Sequence, residues 1–321
     1  MNTSDLQELA NHTRSTREAG TALLMASGIL AFLFFIPAAP EQSATGNQTP
    51  NASSGSLTSA VPNAFADIPL DAKAAIVYDL YTRETLYDRN ADAQLPLASL
   101  TKLLTIYAAL AVLSPETLIT IPESVVSVNE PRTFSVGQTF SLADLSRLTL
   151  TASLNDGALA IAHATAEREN RTQNEMLAGA AAALNLSQTY AVNGSGLDVN
   201  AIISGSYGSA RDVARLAGAI VEKAPAIATA TTQSFAQAVS AGGTSFTVKN
   251  TDPMIGSIQR LMLSKTGFTD LAGGNLALVF DVGIGHPIAV VVLGSSSTSR
   301  FTDGAALVAA TLAHFAGVHS L

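Results

Sequence analysis

The sequence predicts an α+β fold in which one antiparallel sheet is formed by both ends of a globular domain and a helical lobe is inserted between them. Three observations lead there. Ala74 to Tyr78 and Thr85 to Asp88 are short apolar runs divided by a polar turn, the pattern of an opening hairpin. The segments RLMLSK, NLALVFDV and PIAVVVLG predict further strands in the last third of the chain. Between these groups, SLADLSRLTL, DGALAIAHATA, TQNEMLAGAAAALN and SARDVARLAGAIVEKA carry apolar residues at helical spacing. A sheet shared by the two termini accommodates that order.

Taken from the N-terminus, residues 1–18 include Arg14 and Arg17 and are expected to stay in the cytoplasm. Residues 19–39, AGTALLMASGILAFLFFIPAA, hold no charge, and at about 1.5 Å per residue they would just cross a hydrocarbon core of about 30 Å. They read as a single-pass transmembrane signal-anchor that places the rest of the chain outside the cytoplasm. A cleaved signal peptide is the alternative, but its apolar region usually runs about 7–15 residues, and Pro37 and Pro40 interrupt the small residues here. Residues 40–64, rich in Ser, Thr, Asn, Gly and Pro, read as a flexible linker. Residues 65–321 then form one globular domain, with a long helix expected from Ser99 and a last one from about Phe301 to Phe315. Ser141 with Asp144, Thr172 with Glu175 and Ser209 with Asp212 match capping boxes at helix starts.

Composition removes whole classes of function. The formal charge of -8, with the few cations scattered, argues against a nucleic-acid partner. Without cysteine there is no disulfide framework, thiolate metal site or cysteine nucleophile. His12, His163, His286, His314 and His319 show no ligand spacing, and neither a metal nor a cofactor is expected. No G-x-S-x-G or H-E-x-x-H motif is present.

Three short motifs carry chemistry. In Ser99-Leu100-Thr101-Lys102, helical spacing stacks the Lys102 amine over the Ser99 hydroxyl, which supplies a weak nucleophile with a base. Taken alone, the same residues also fit a serine cap followed by an unrelated lysine. Ser153-Leu154-Asn155 lies between two helical segments and can point a hydroxyl and an amide into a cleft, although such residues are usually caps. Ser127-Val128-Asn129 matches the pattern too, but it leads into Glu-Pro rather than a helix. Lys265-Thr266-Gly267 ends a predicted strand, where a cation can hold a carboxylate and Gly admits a substrate backbone; a surface lysine and a turn glycine would look alike.

Together, in this order and setting, S-x-x-K, S-x-N and K-T-G resemble the signature of penicillin-binding proteins and class A β-lactamases. The likeness extends to the sequences around them. AAIVYDLYTRETLYDRNADAQLPLASLTKLLT, VGQTFSLADLSRLTLTASLNDGALAIA, NGSGLDVN and LSKTGFTDLAGGNLALV are similar to segments of the low-molecular-mass penicillin-binding D-Ala-D-Ala carboxypeptidases. That resemblance implies a β-lactamase/transpeptidase-like fold, peptidoglycan stem peptides as substrate and β-lactam antibiotics as covalent inhibitors. It further implies Ser99 as acyl-ester nucleophile, Lys102 as its base, and Ser153 with Asn155 as proton relay and substrate anchor. Lys265 and Thr266 would bind the terminal carboxylate beside Gly267, and the backbone N–H groups of Ser99 and Phe268 would form the oxyanion hole. Leu154 departs from the Gly common in the family, which bears on cleft shape. The sequence after the last predicted helix has no counterpart to the C-terminal β-domain and amphipathic tail of some relatives, so membrane attachment is expected from the N-terminal helix. A D,D-endopeptidase, a β-lactamase and a catalytically silent wall-binding protein are the alternatives on this fold. No E-x-x-L-N follows Ser153 to support a lactamase.

Overall fold

The structure, a computed structural model, describes residues 63–126 and 132–317. The expected N-terminal segment, anchor and most of the linker lie outside the described residues, as does Ser127-Val128-Asn129. Among the described residues no helix is long and apolar enough to cross a membrane.

Chain order gives the opening hairpin β1 (Ala74–Asp79) and β2 (Thr85–Arg89), then β3 (Leu95–Pro96) and a 3-10 turn, Ala98–Leu100, that runs into helix α1 (Thr101–Val112). The lobe continues through β4 (Leu118–Thr120), α2 (Glu123–Val126), β5 (Thr139–Ser141), α3 (Leu142–Ala152), α4 (Asn155–Glu169) and α5 (Gln173–Ala183). After β6 (Tyr190–Ala191) and β7 (Ser206–Gly208) come α6 (Ala210–Lys223), α7 (Pro225–Ala230) and the hairpin β8 (Phe235–Val239) and β9 (Ser245–Lys249). The chain closes with β10 (Leu261–Thr269), β11 (Gly273–Asp281), β12 (Pro287–Ser295) and α8 (Ser299–Phe315).

The five-stranded sheet has the order β10-β11-β12-β1-β2, antiparallel throughout, so the first and last strands of the domain meet at its centre. Both faces are covered, which explains why β1, β11 and β12 read as almost continuous apolar runs rather than alternating ones. Ile76, Val279, Ala289 and Val291 point into the core shared with the helical lobe. Val77, Leu278, Val290 and Val292 point the other way, onto Phe65, Leu307 and Val308.

Two of the expected capping boxes are incomplete. Thr172 and Glu175 make both reciprocal bonds, whereas Ser141 and Ser209 only accept from the backbone of Asp144 and Asp212. The two aspartates have other partners: Asp144 pairs with Arg147, and buried Asp212 accepts from Gln188 N at 2.8 Å and Thr189 Oγ1 at 2.9 Å. The β8–β9 hairpin was not among the predicted elements, although FAQAV and SFTVK alternate exposed and covered positions around a Gly-Gly turn.

Asp303 fastens α8 to the sheet. Its buried carboxylate accepts from Asp71 N at 3.1 Å, Ala72 N at 3.0 Å and Ser295 Oγ at 2.7 Å. Asp303→Ala leaves these donors without their acceptor and is expected to cost about 3 kcal/mol. A urea midpoint lowered at unchanged slope is the expected reading; a wild-type midpoint would show that the α8 contact contributes little.

Candidate active site

The cleft lies where the lobe meets β10. Ser99 sits in the 3-10 turn rather than in the helix proper, which begins two residues later at Thr101. The turn is held in an uncommon shape, since Ala98 has φ 48. Its carbonyl is fixed by Thr101 Oγ1 at 2.6 Å, and Thr101 also bonds Ser206. Gly196, itself at φ 78, lies against this turn so closely that a Cβ there would come within 1.9 Å of the Ala98 carbonyl oxygen. Only glycine fits.

Lys102 follows on the first turn of α1 and has no exposed surface. Its Nζ is 2.7 Å from Ser99 Oγ, 2.7 Å from Asn155 Oδ1 and 2.8 Å from the Ser195 carbonyl oxygen. The expected stacking of the first motif is therefore present, together with a partner from the second. The third partner was not singled out from sequence. Ser195 belongs to the NGSGLDVN loop, where Asn193 Oδ1 accepts from Ser195 N, Ser195 Oγ and Gly196 N at 2.8–3.1 Å and so aims the Ser195 carbonyl at Lys102. A side-chain-organised loop of this kind leaves only Asn and Gly as signals in the sequence.

Ser153 terminates α3 in a left-handed conformation, φ 59, and Asn155 opens α4. That sharp reversal points the two side chains at different lysines. Ser153 Oγ accepts from Lys265 Nζ at 2.9 Å, while Asn155 serves Lys102. Leu154 is half-buried and packs against the lobe core.

Lys265 and Thr266 lie on β10, the edge strand of the sheet, and both are buried. Lys265 Nζ also donates to the Thr266 carbonyl at 2.7 Å, and Thr266 Oγ1 shares a hydrogen bond with Thr251 Oγ1 at 2.7 Å. At Gly267 a Cβ would come 3.0 Å from the Leu97 carbonyl oxygen and 3.3 Å from Ser99 N, so glycine lets the strand close on the serine turn. Phe268 follows, half exposed. Arg300, at the start of α8, was missed in the sequence because it is remote from every motif. It donates to the Gly267 carbonyl at 2.6 Å, and its Nε is buried without a protein partner. Burial pushes the Lys265 amine well below the ordinary lysine range, and the charges of Lys102 and Arg300 act the same way.

A serine hydroxyl against a buried amine, a second lysine on an edge strand, and a further hydroxyl bonded to that lysine form an arrangement suited to acyl transfer. Residues 60–297 match the family model described as D-alanyl-D-alanine carboxypeptidase. A D-alanyl-D-alanine endopeptidase of Pseudomonas aeruginosa is 30% identical over 259 residues, covering 78% of this chain and 81% of its own. A penicillin-binding protein of Listeria monocytogenes, solved in its ampicillin-bound form, superposes with TM-score 0.64 at 26% identity over 76% of this chain and 99% of its own. The D-alanyl-D-alanine carboxypeptidase DacD of Francisella tularensis gives TM-score 0.67 at 22% identity, over 77% of this chain and 71% of its own, a likeness of fold. The chain belongs to the D-alanyl-D-alanine carboxypeptidase family, which are serine-type peptidases, and has the transpeptidase fold.

The buried Lys265 couples stability to pH. Because its amine titrates lower in the folded state than in the unfolded chain, the unfolded chain binds the proton more tightly. Its contribution is therefore fully favourable only above the ordinary value of 10.5 and is lost as pH falls through the depressed folded value. Urea midpoints of wild type minus Lys265→Met should rise with pH across that window; a flat difference would show that burial does not bias this proton.

Proposed function

We propose that this family member removes the terminal D-Ala from peptidoglycan stem peptides through an acyl-enzyme on Ser99. The observation that carries the reading is the hydrogen-bond set of Lys102. Among its partners, the Asn155 and Ser195 carbonyl oxygens can only accept, whereas the Ser99 hydroxyl can also donate. In the neutral amine, two N–H bonds go to those two acceptors and the lone pair is left facing the Ser99 proton.

Ser99 Oγ then attacks the carbonyl carbon of the D-Ala-D-Ala bond while its proton passes to Lys102. The backbone N–H groups of Ser99 and Phe268 receive the oxyanion. Collapse of the adduct breaks the C–N bond. The departing amine takes the proton that Lys102 received from Ser99, which restores the neutral Lys102 amine, while Ser153 stays hydrogen-bonded to Lys265. Water next attacks the ester with Lys102 as base, which frees the shortened peptide and restores the Ser99 hydroxyl. Lys265, Thr266 and Arg300 hold the substrate carboxylate against β10, Gly267 admits the backbone, and Asn155 anchors the peptide.

An endopeptidase reading has its own support, because the Pseudomonas relative carries that name. Cleavage of cross-links would use the same atoms. β-Lactams, one of which is bound by the Listeria protein, are taken to acylate Ser99 as well. On sequence alone, residues 19–39 are proposed to hold the protein in the cell membrane with this domain outside.

Muropeptides separate the two activities by mass spectrometry: loss of one D-Ala from monomers marks the carboxypeptidase, and conversion of dimers to monomers marks the endopeptidase. Ser99→Ala should abolish penicillin labelling while the domain stays folded.

Lys102→Ala should slow acylation by about 10³, and Lys102→Arg should not restore it, because a guanidinium keeps its proton. For wild type, kcat/KM should fall with rising pH as Lys265 loses its charge below the ordinary lysine range. Lys265→Arg should move the falling limb to higher pH. Rapid acylation by Lys102→Arg would remove Lys102 from the role of base.

A further inference from the structure

The end of the sheet away from Ser99 carries features that the peptidase chemistry does not use. Ile76, Val291, Ala277 and Lys265 lie in register across the sheet, and Tyr78, Pro287 and Met262 lie toward the opposite end of the same strands. There a cavity of about 770 Å³ opens beside the C-terminal half of α6. Leu80, Leu184, Val221 and Met262 give it partly buried apolar walls, while Arg83 and Arg215 stand exposed at its mouth with Glu222. Neither arginine side chain makes a hydrogen bond or ion pair among the described residues, although the Arg215 charge acts on Asp92 and Asp212. Arg83 also occupies a turn position at φ 65, where asparagine or glycine would be less strained.

An apolar surface borders this cavity. Tyr81 packs on His286 at 5.4 Å, His286 on Phe315 at 5.0 Å, Phe315 on His314 at 5.2 Å and His314 on Phe65 at 5.6 Å. Tyr81 and Ile284 project into solvent, and Leu312 and Phe315 are exposed beside them. Phe65 is where the chain enters the domain, and only residues 40–64 separate it from the uncharged run 19–39.

Exposed Tyr, Phe, Ile and Leu beside exposed arginines match the composition of a membrane-interface surface. We propose that this end of the domain rests on a phospholipid bilayer. Tyr81, Ile284, Leu312 and Phe315 enter the interface, and the arginine-rimmed cavity takes a headgroup phosphate, which the planar guanidinium forks suit. The Ser99 cleft, at the other end of the sheet, then faces away from the lipid.

The chain contains no tryptophan, so Ile284→Trp installs a single reporter. Ile202→Trp is its counterpart, on an exposed loop tied through Asp198 to Thr269 at the active end. Each full-length variant is reconstituted in vesicles of phosphatidylcholine with brominated acyl chains, with or without phosphatidylglycerol. Bromine should quench the Ile284→Trp reporter at least about threefold more than the Ile202→Trp reporter. Adding Arg83→Ala and Arg215→Ala should reduce that quenching by about half on anionic vesicles. Retention on vesicles reports the apolar run separately, and penicillin labelling reports the peptidase site separately. Equal quenching of the two reporters would overturn the proposal, as would a lipid-independent dimer that buries the Ile284→Trp reporter.

Discussion

The rest of the site depends on keeping the Lys102 amine away from water. A lysine with no exposed surface loses its hydration, and that loss is tolerable only where each N–H finds an acceptor. The acceptors come from three distant stretches of chain, at residues 99, 155 and 195. The nucleophile turn, the junction of α3 with α4 and the glycine-rich loop must therefore close around one atom together. Lys265 repeats the arrangement on the opposite wall, with Ser153 and the Thr266 carbonyl as its acceptors. Two buried amines in one cleft repel each other, and the surrounding lobe holds them there through fully buried Leu100, Leu103 and Leu104.

Much of this was legible in the sequence, and what was missed has a common physical character. Periodicity located the strands and helices of the sheet and lobe, because burial on one face or both leaves a pattern in residue type. The S-x-x-K spacing is one that a sequence records, because a nucleophile and its base must come within reach, whereas the other two motifs gained weight only from the order of all three and from the family resemblance. The Ser195 carbonyl left no such trace, since any residue supplies a carbonyl and only Asn193 and Gly196 reveal that the backbone is steered. Arg300 was hidden for a different reason. Its place beside Gly267 is created by the packing of α8 on the sheet, a long-range fact with no local signature. The paired capping pattern misled at Asp144 and Asp212 because spacing identifies a possible partner but not the competing one that wins.

Two of the eight non-glycine residues at positive φ among the described residues lie at the site. Ala98 precedes the proposed nucleophile and Ser153 heads the second motif, and both are non-glycine residues at positive φ. Each such residue costs on the order of 1–3 kcal/mol and persists only where its surroundings over-determine it. At Ala98 the constraint is visible in the Thr101 bond to its carbonyl and in the close seat of Gly196. At Ser153 it is the bond from Lys265. The strained turns and the buried amines thus fix one another.

The pairing of β1 with β12 joins Ala74 to Leu293 and Asp79 to Ile288, so the centre of the sheet consists of the domain's first and last strands. A chain synthesised from its N-terminus has β2 beside β1 early but lacks β12 on the other side until nearly all of the domain has been made. Hairpins and lobe helices can form early from local contacts, whereas closing the sheet requires one long loop to be brought together at once. Lys265 and Arg300 belong to that late section. The unfinished polypeptide therefore cannot hold the Ser99 cleft in its final form, and the timing of synthesis itself keeps a hydrolase inactive until its scaffold is whole.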